Sequence, residues 1–119
     1  MTTLSTMLIT LVVLLHLYFM LLEMYFWDKP LGLRTFGIKP DFAIATKSLA
    51  ANQGLYNGFL AAGLIWGISL GTSGHSIKLF FLACIIVAGI FGAMTASKKI
   101  FFIQAIPGAI AFIVTWLAA

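Results

Sequence analysis

The chain has 119 residues, of which 62% are hydrophobic and 8% are charged, and its mean hydropathy is +1.11. About a quarter of the residues of a soluble domain are charged, so this composition excludes an ordinary soluble domain and predicts an integral membrane protein. The formal net charge of +4 would suit a nucleic-acid partner. However, the basic residues lie in loops rather than along an aromatic-rich face, so no nucleic-acid partner is predicted.

Four apolar segments are each long enough to cross a bilayer, which takes about 20 residues. They predict transmembrane helices at residues 4–27, 49–70, 77–95 and 100–118. Little chain is left over, so we predict an all-α fold with a single transmembrane domain, residues 1–119, built as an integral membrane four-helix bundle. The last two helices are joined by a very tight turn at Ser97 and are expected to be antiparallel neighbours.

Basic residues predict the orientation of the bundle in the cell (inner) membrane. They are concentrated in the first and third connections, as Lys29, Arg34, Lys39, Lys47, Lys98 and Lys99. Only Lys78 flanks the second connection, where His75 is expected to be solvated. By the positive-inside rule the first and third connections are cytoplasmic, which places both termini on the non-cytoplasmic side.

The first helix carries two ionisable side chains on one face, because His16, Met20, Glu23 and Trp27 are spaced i, i+4, i+7, i+11. A charge inside a bilayer is costly, so Glu23 is expected to be protonated, paired or close to water. The candidate catalytic residues are Glu23, as an acid or base, and His16, as its proton partner. These two side chains alone are too few to hold a metal ion, so no metal site is predicted.

The second helix has one polar face, and its opposite face consists of small residues. At about 100° per residue, the polar side chains spread over one arc. Together with a glutamine near the cytoplasmic end of the fourth helix, they are the candidate ligand-binding residues: Asn52, Gln53, Tyr56, Asn57 and Gln104. Counting down each helix from the cytoplasmic face places Glu23 near the level of Gln53, and His16 near that of Asn57.

Longer motifs identify a family. His16 is followed by Leu-Glu-Met-x-x-Trp from Leu22, and the second helix contains Ala-Asn-Gln-Gly-Leu-Tyr-Asn-Gly-Phe-Leu-Ala-Ala-Gly from Ala51. Ala-Gly-Ile-Phe-Gly-Ala-x-Thr then begins at Ala88, and Gln-x-x-Pro at Gln104. With these motifs the chain resembles a family of small bacterial membrane proteins defined as a domain of unknown function, number 1304. The resemblance implies a four-helix inner-membrane protein, and it implies no activity.

The second helix is also similar to that of the MAPEG family of trimeric membrane enzymes and lipid-binding proteins, which handle glutathione and lipophilic substrates. In that family an Asn is followed four residues later by a Tyr, as Asn52 and Tyr56 are here. The glutathione-handling members carry an Arg one turn before the Asn, where this chain has Ser48, and commonly a Glu three residues after it, where this chain has Leu55. This resemblance therefore extends to the fold and not to glutathione binding.

Three hypotheses for the polar residues remain open. In the first, they are hydrogen-bond partners that orient the helices of a structural scaffold. In the second, they form a pocket, open to the cytoplasmic half, in which a homo-oligomer binds or chemically transforms a small lipophilic or amphipathic molecule, as a MAPEG-like enzyme does. In the third, the protein is a small proton-coupled transporter, since intramembrane Glu and His mark proton relays. No cofactor is assigned, and the lipid bilayer is the one partner common to all three.

Overall fold

The computed structural model describes residues 2–118, and these residues form helices and no strand. The helices are α1 (Thr2–Tyr25), α2 (Pro30–Phe36), α3 (Pro40–Ser69), α4 (His75–Thr95) and α5 (Ile106–Leu117). A 3₁₀ turn, Gly71–Gly74, joins α3 to α4, and a π-helical segment, Phe101–Ala105, leads into α5. The all-α prediction is therefore confirmed for the described residues.

Two helical stretches are long and apolar enough to cross a membrane, judged by length and composition. They are Thr2–Tyr25, with a mean hydropathy of 2.2, and Gly71–Thr95, with a mean hydropathy of 2.4. Phe101–Leu117 is a shorter apolar helix. These stretches correspond to the first, third and fourth predicted helices.

The second predicted helix starts earlier than expected, at Pro40 instead of residue 49. The connection between the first two predicted helices contains prolines and glycines, and here they begin and end helices. Pro30 and Pro40 stand at helix starts, where the missing N–H costs nothing and the fixed φ suits the helix. Gly37 ends α2 with a φ of 64°, a left-handed conformation that favours glycine. The first connection is thus largely helical.

The chain packs as two compact units, each with its own contacts. The Glu23 unit, residues 15–59, contains the second half of α1, α2 and the first part of α3. Here α1 and α3 run antiparallel at close range, because glycines on α3 leave room for α1 side chains. A Cβ at Gly54 would lie 3.0 Å from Glu23 Cβ, and one at Gly58 would lie 2.8 Å from Met20 Sδ. The predicted small-residue face of α3 is therefore a packing face.

The Lys78 unit comprises the start of α1, residues 60–70, α4 and α5. Its core consists of fully buried aliphatic side chains, among them Ile9, Leu64, Leu82 and Ile85. The backbones of α4 and α5 approach closely at Gly89, where a Cβ would lie 2.5 Å from the Ala105 nitrogen. This contact agrees with the antiparallel α4–α5 pair expected from the short turn at Ser97.

Candidate functional site

The centre of the candidate site is a hydrogen bond between α1 and α3. Asn57 Nδ2 donates to Glu23 Oε1 at 2.5 Å. Asn57 is 6% exposed and Glu23 is partly buried. A carboxyl group held by an amide in this way has the partner that a polar group between apolar helices requires. The structure therefore brings together one predicted catalytic residue and one predicted ligand-binding residue.

The pairing differs from the expected register, in which His16 lay level with Asn57. The backbone of Glu23 is indeed level with Gly54, next to the predicted Gln53. Helical side chains, however, lean toward the N-terminus of their own helix. In an antiparallel pair, Glu23 and Asn57 therefore lean toward each other and meet about one turn away from the level of their backbones. The register itself also differs by about one turn, since Gly58, next to Asn57, contacts the side chain of Met20 and not that of His16.

The predicted polar face of α3 is divided between the interior and the surface. Asn57 points inward, whereas Asn52, Gln53 and Tyr56 are exposed on this chain. Asn52 Nδ2 donates to Tyr56 Oη at 3.1 Å, a bond within one helix. The expectation that all four polar side chains line one pocket therefore does not hold within this chain. The small-residue face around Gly54 is the side that packs, and Asn57 lies at its edge.

The remaining predicted residues have separate surroundings. His16 is 1% exposed, and its ring lies edge-on to that of Phe19 with centroids 5.8 Å apart. Gln104 is partly buried in the π-helical segment of the Lys78 unit. That segment leads into α5, whose second residue, Pro107, lacks the N–H needed for a regular helical bond. Single π-helical turns inside helices are frequent at functional sites.

The first connection is fastened at the ends of α1 and α3. Trp27 Nε1 donates to Thr46 Oγ1 at 3.0 Å, and the Trp27 ring stacks at an angle on Phe36 with centroids 4.9 Å apart. Lys47 Nζ lies 3.0 Å from Asp28 Oδ2. The hydrogen bond from the Lys47 ammonium lowers the pKa of Asp28 below its ordinary value of 3.8. The Thr46 hydroxyl bonds to the Phe42 carbonyl, within α3.

A second site, which the sequence analysis missed, is a cavity of about 510 Å³ in the Lys78 unit. We call it the Lys78 cavity. Its polar lining includes the hydroxyls of Ser5, Thr6, Thr72 and Thr115 and the cationic or titratable side chains of Lys78 and His75. His75 is partly buried and lines this cavity. The sequence signal was the single lysine at an otherwise uncharged helix end.

The described chain contains no group of side chains that is suited to holding a metal ion. Among residues 2–118, no three or more His, Cys, Asp or Glu side chains come together in an arrangement that could hold a metal ion. Cys84 is a partly buried free thiol on α4.

Comparison with known proteins places the chain in a family. It is 32% identical over 106 residues to "Uncharacterized protein YpaA" of Lactococcus lactis subsp. lactis (strain IL1403), covering 87% of this chain and 89% of that protein. No solved structure matches the chain. The profile of the family described as "Protein of unknown function (DUF1304)" matches residues 10–116. The chain is thus a member of the DUF1304 family, as its motifs indicated.

Proposed function

We propose that this protein is a multi-pass protein of the cell (inner) membrane, a four-helix bundle with both termini on the non-cytoplasmic side. The two membrane-length stretches support this proposal. So does the apolar surface of α4, where Val87, Phe91 and Met94 are 66–79% exposed. Lipid chains cover such a surface, whereas water would not. The Lys78 cavity is lined by residues from the starts of α1 and α4 and from the ends of α3 and α5. An up-and-down bundle places these four helix ends on the same side.

We further propose that the protein binds a small lipophilic or amphipathic molecule in the cytoplasmic half, at the Glu23–Asn57 pair. The observation that carries this proposal is a carboxyl group hydrogen-bonded to an amide between two apolar helices. Ionisable groups in such surroundings are costly and commonly mark functional sites. A carboxyl group is an unfavourable neighbour for an anionic head group. The ligand is therefore expected to carry a hydroxyl or amine head group on an apolar body.

The exposed Asn52–Tyr56 pair supports a homo-oligomer. Amide and phenol groups at the surface of a membrane helix need hydrogen-bond partners that lipid chains do not provide. Asn52 and Tyr56 are both exposed on the single chain, and so is Gln53. A second copy that covers this face would shield the polar groups and complete the polar surroundings of the ligand near Glu23.

Native mass spectrometry of the detergent-purified protein tests both parts of the proposal. The spectra give the oligomeric state and the mass of any molecule retained through purification. The wild type is expected to form an oligomer that retains a lipophilic molecule, and Glu23→Gln is expected to lose that molecule while keeping the oligomer. Ser73→Ala is the control, since it removes an exposed hydroxyl in the 3₁₀ turn of the Lys78 unit, outside the Glu23 unit.

A structural scaffold is the second candidate, and a specific observation favours it. The Glu23–Asn57 bond sits beside the closest approach of α1 to α3, where Gly54 and Gly58 contact α1 side chains. In a scaffold, Glu23→Gln is nearly silent because glutamine also accepts a hydrogen bond from Asn57. A monomeric, ligand-free wild type whose stability is unchanged by Glu23→Gln would therefore replace the binding proposal by the scaffold.

A further inference from the structure

The Lys78 cavity is lined by a largely buried lysine whose positive charge nothing in the described chain neutralises. Lys78 is 9% exposed, and it makes no hydrogen bond or ion pair with residues 2–118. Its side-chain stem is held against α3, since a Cβ at Gly67 would lie 2.8 Å from Lys78 Cγ. A buried ammonium group is costly unless it is paired. Among residues 2–118, the cavity therefore contains no negative charge that could pair with this lysine.

The position of Lys78 along its helix strengthens this argument. His75 and Lys78 both lie in the first turn of α4, which contains no acidic residue. The N-terminus of a helix carries partial positive charge, so a cation there is at the unfavourable end. No side chain caps this N-terminus. The same end of a helix binds anions well, because its first N–H groups are not used inside the helix.

The rest of the polar lining, as far as residues 2–118 supply it, consists of hydroxyl groups, which can donate hydrogen bonds, and of His75. Ser5 Oγ and Thr115 Oγ1 lie 2.6 Å apart, and either one is the donor. One hydroxyl proton makes that bond, and the other stays available to a ligand. Thr6 and Thr72 add two more hydroxyls, and no carboxylate from the described chain lines the cavity. The volume of about 510 Å³ lies within the range of small-molecule sites, about 300–1,000 Å³.

We propose that the Lys78 cavity binds a phosphate group, with Lys78 supplying the charge and the surrounding hydroxyls supplying hydrogen bonds. Lysine binds phosphate as a point charge, and bonds between charged partners are stronger than neutral ones. A free phosphate and the head group of a phospholipid present the same chemistry. This site is separate from Glu23, and it stands whether or not Glu23 binds a ligand.

Isothermal titration calorimetry of the full chain in an uncharged detergent tests the proposal. The probes are sodium phosphate, dihexanoyl phosphatidic acid and, as the neutral match, dihexanoylglycerol. At least one phosphate probe is expected to bind, and dihexanoylglycerol is not. If both phosphate probes bind and compete with each other, free phosphate is sufficient for binding at this site. If phosphatidic acid binds and sodium phosphate does not, the site recognises the head group of a lipid. Failure of both phosphate probes to bind the wild type would overturn the proposal.

Variants of Lys78 distinguish the contribution of its charge to phosphate binding from the contribution of its packing. Lys78→Gln is expected to weaken binding by about tenfold or more, since it removes a charge-assisted bond. Lys78→Arg keeps the charge and should retain binding, and Lys98→Gln removes an exposed lysine elsewhere as the matched control. Without ligand, Lys78→Gln is expected to raise Tm, because an unpaired buried charge is lost. A lysine that only packs would give unchanged binding in Lys78→Gln.

A second variant keeps the test decisive if Lys78→Gln fails to fold. Thr72 is exposed in the 3₁₀ turn, so Thr72→Val removes a lining hydroxyl without disturbing the core. We expect it to weaken phosphate binding by about threefold, the value of one neutral hydrogen bond. Ser73→Ala, next to it in the same turn and outside the lining, is the control. Equal binding in both variants and the wild type would contradict the assigned site.

Discussion

At the residue scale, the Glu23–Asn57 hydrogen bond should contribute measurably to stability. Asn57→Leu removes the donor and leaves the Glu23 carboxyl group without this partner, at an expected cost of about 1–2 kcal/mol in the free energy of unfolding. The cost is measured by SDS-induced unfolding in mixed micelles, followed by circular dichroism. Gln53→Leu changes an exposed amide on the same helix and is the control.

The double variant Glu23→Leu, Asn57→Leu sharpens this prediction. Replacing both partners by apolar side chains leaves no unsatisfied polar group, so the double variant should recover most of the stability lost in Asn57→Leu. A double variant less stable than either single one would mean that packing around Gly54, rather than the hydrogen bond, sets the energy. Equal stability of Asn57→Leu and the wild type would show that the bond contributes nothing.

The Asp28–Lys47 ion pair, which lies outside the two membrane-length stretches, predicts a pH dependence. Because Lys47 lowers the pKa of Asp28 in the folded protein, the pair stabilises the fold above the ordinary pKa of 3.8. That contribution is lost as the pH falls below 3.8 and through the lowered pKa. Carboxyl ¹³C NMR of labelled aspartate measures it directly, since Asp28 and Asp41 are the two aspartates of the chain.

In this titration Asp41 serves as the internal control, because it is exposed on the first turn of α3. Lys47→Gln is expected to raise the midpoint of Asp28 toward 3.8 and to leave that of Asp41 unchanged. The two side chains of this partly exposed pair lose conformational entropy when they come together, so the pair should contribute little to the free energy of unfolding. If Lys47→Gln leaves the titration midpoint of Asp28 unchanged, the ion pair does not form in solution.

Single residues could be selected from the sequence, but their partners could not. Glu23 and Asn57 stood out because polar groups are rare in apolar helices, and that chemistry is visible in the sequence alone. Which of the neighbouring amides meets Glu23 depends on side-chain lean and on the small face that packs. Lys78 was passed over because one lysine at a helix end normally extends to the interface, and its burial depends on contacts with Gly67 that only the fold shows.

At the scale of helices, close approach of α4 and α5 should depend on Gly89. An added Cβ there would lie 2.5 Å from the backbone nitrogen of Ala105, so the two helices must separate. We expect Gly89→Ala to lower the free energy of unfolding by about 1–3 kcal/mol. At Gly92 the nearest atom is the Ile100 Cγ2, at 3.0 Å, on a flexible side chain.

Gly92→Ala is therefore the matched control for Gly89→Ala. The Ile100 side chain can shift, and alanine is about 1 kcal/mol better than glycine inside a helix, so the variant should be close to neutral. Both variants are compared in the same SDS unfolding experiment. If the two lose equal stability, the loss comes from a general intolerance of α4 and not from backbone contact at Gly89.

Helix positions were largely predictable, and helix starts were less so. The positions of α1, α4 and α5 could be predicted because each coincides with a long run of apolar residues in the sequence. Apolar length predicted that the second long helix begins at residue 49, yet Pro40 begins α3 and Thr46 bonds within it. The contacts of Trp27 with Thr46 and Phe36 stabilise this helical connection, and such tertiary contacts override local breaker signals.

At the scale of the whole molecule, the proposed orientation predicts which turns each side of the membrane can reach. The native Cys84 is first changed to Ser, which leaves a chain without cysteine. Ser73→Cys and Thr35→Cys then place single thiols at exposed positions, in the 3₁₀ turn and in α2. Neither change alters the distribution of basic residues that sets the orientation.

These variants are treated with a membrane-impermeant maleimide in right-side-out membrane vesicles. Ser73→Cys is expected to react at once, because the α3–α4 turn faces outward. Thr35→Cys is expected to react only after the vesicles are permeabilised, because the basic first connection is retained inside. The reverse pattern would invert the bundle and place Glu23 near the outer face. Reaction of both variants in intact vesicles would instead mean that α3 does not cross the bilayer, and the four-helix arrangement would have to be abandoned.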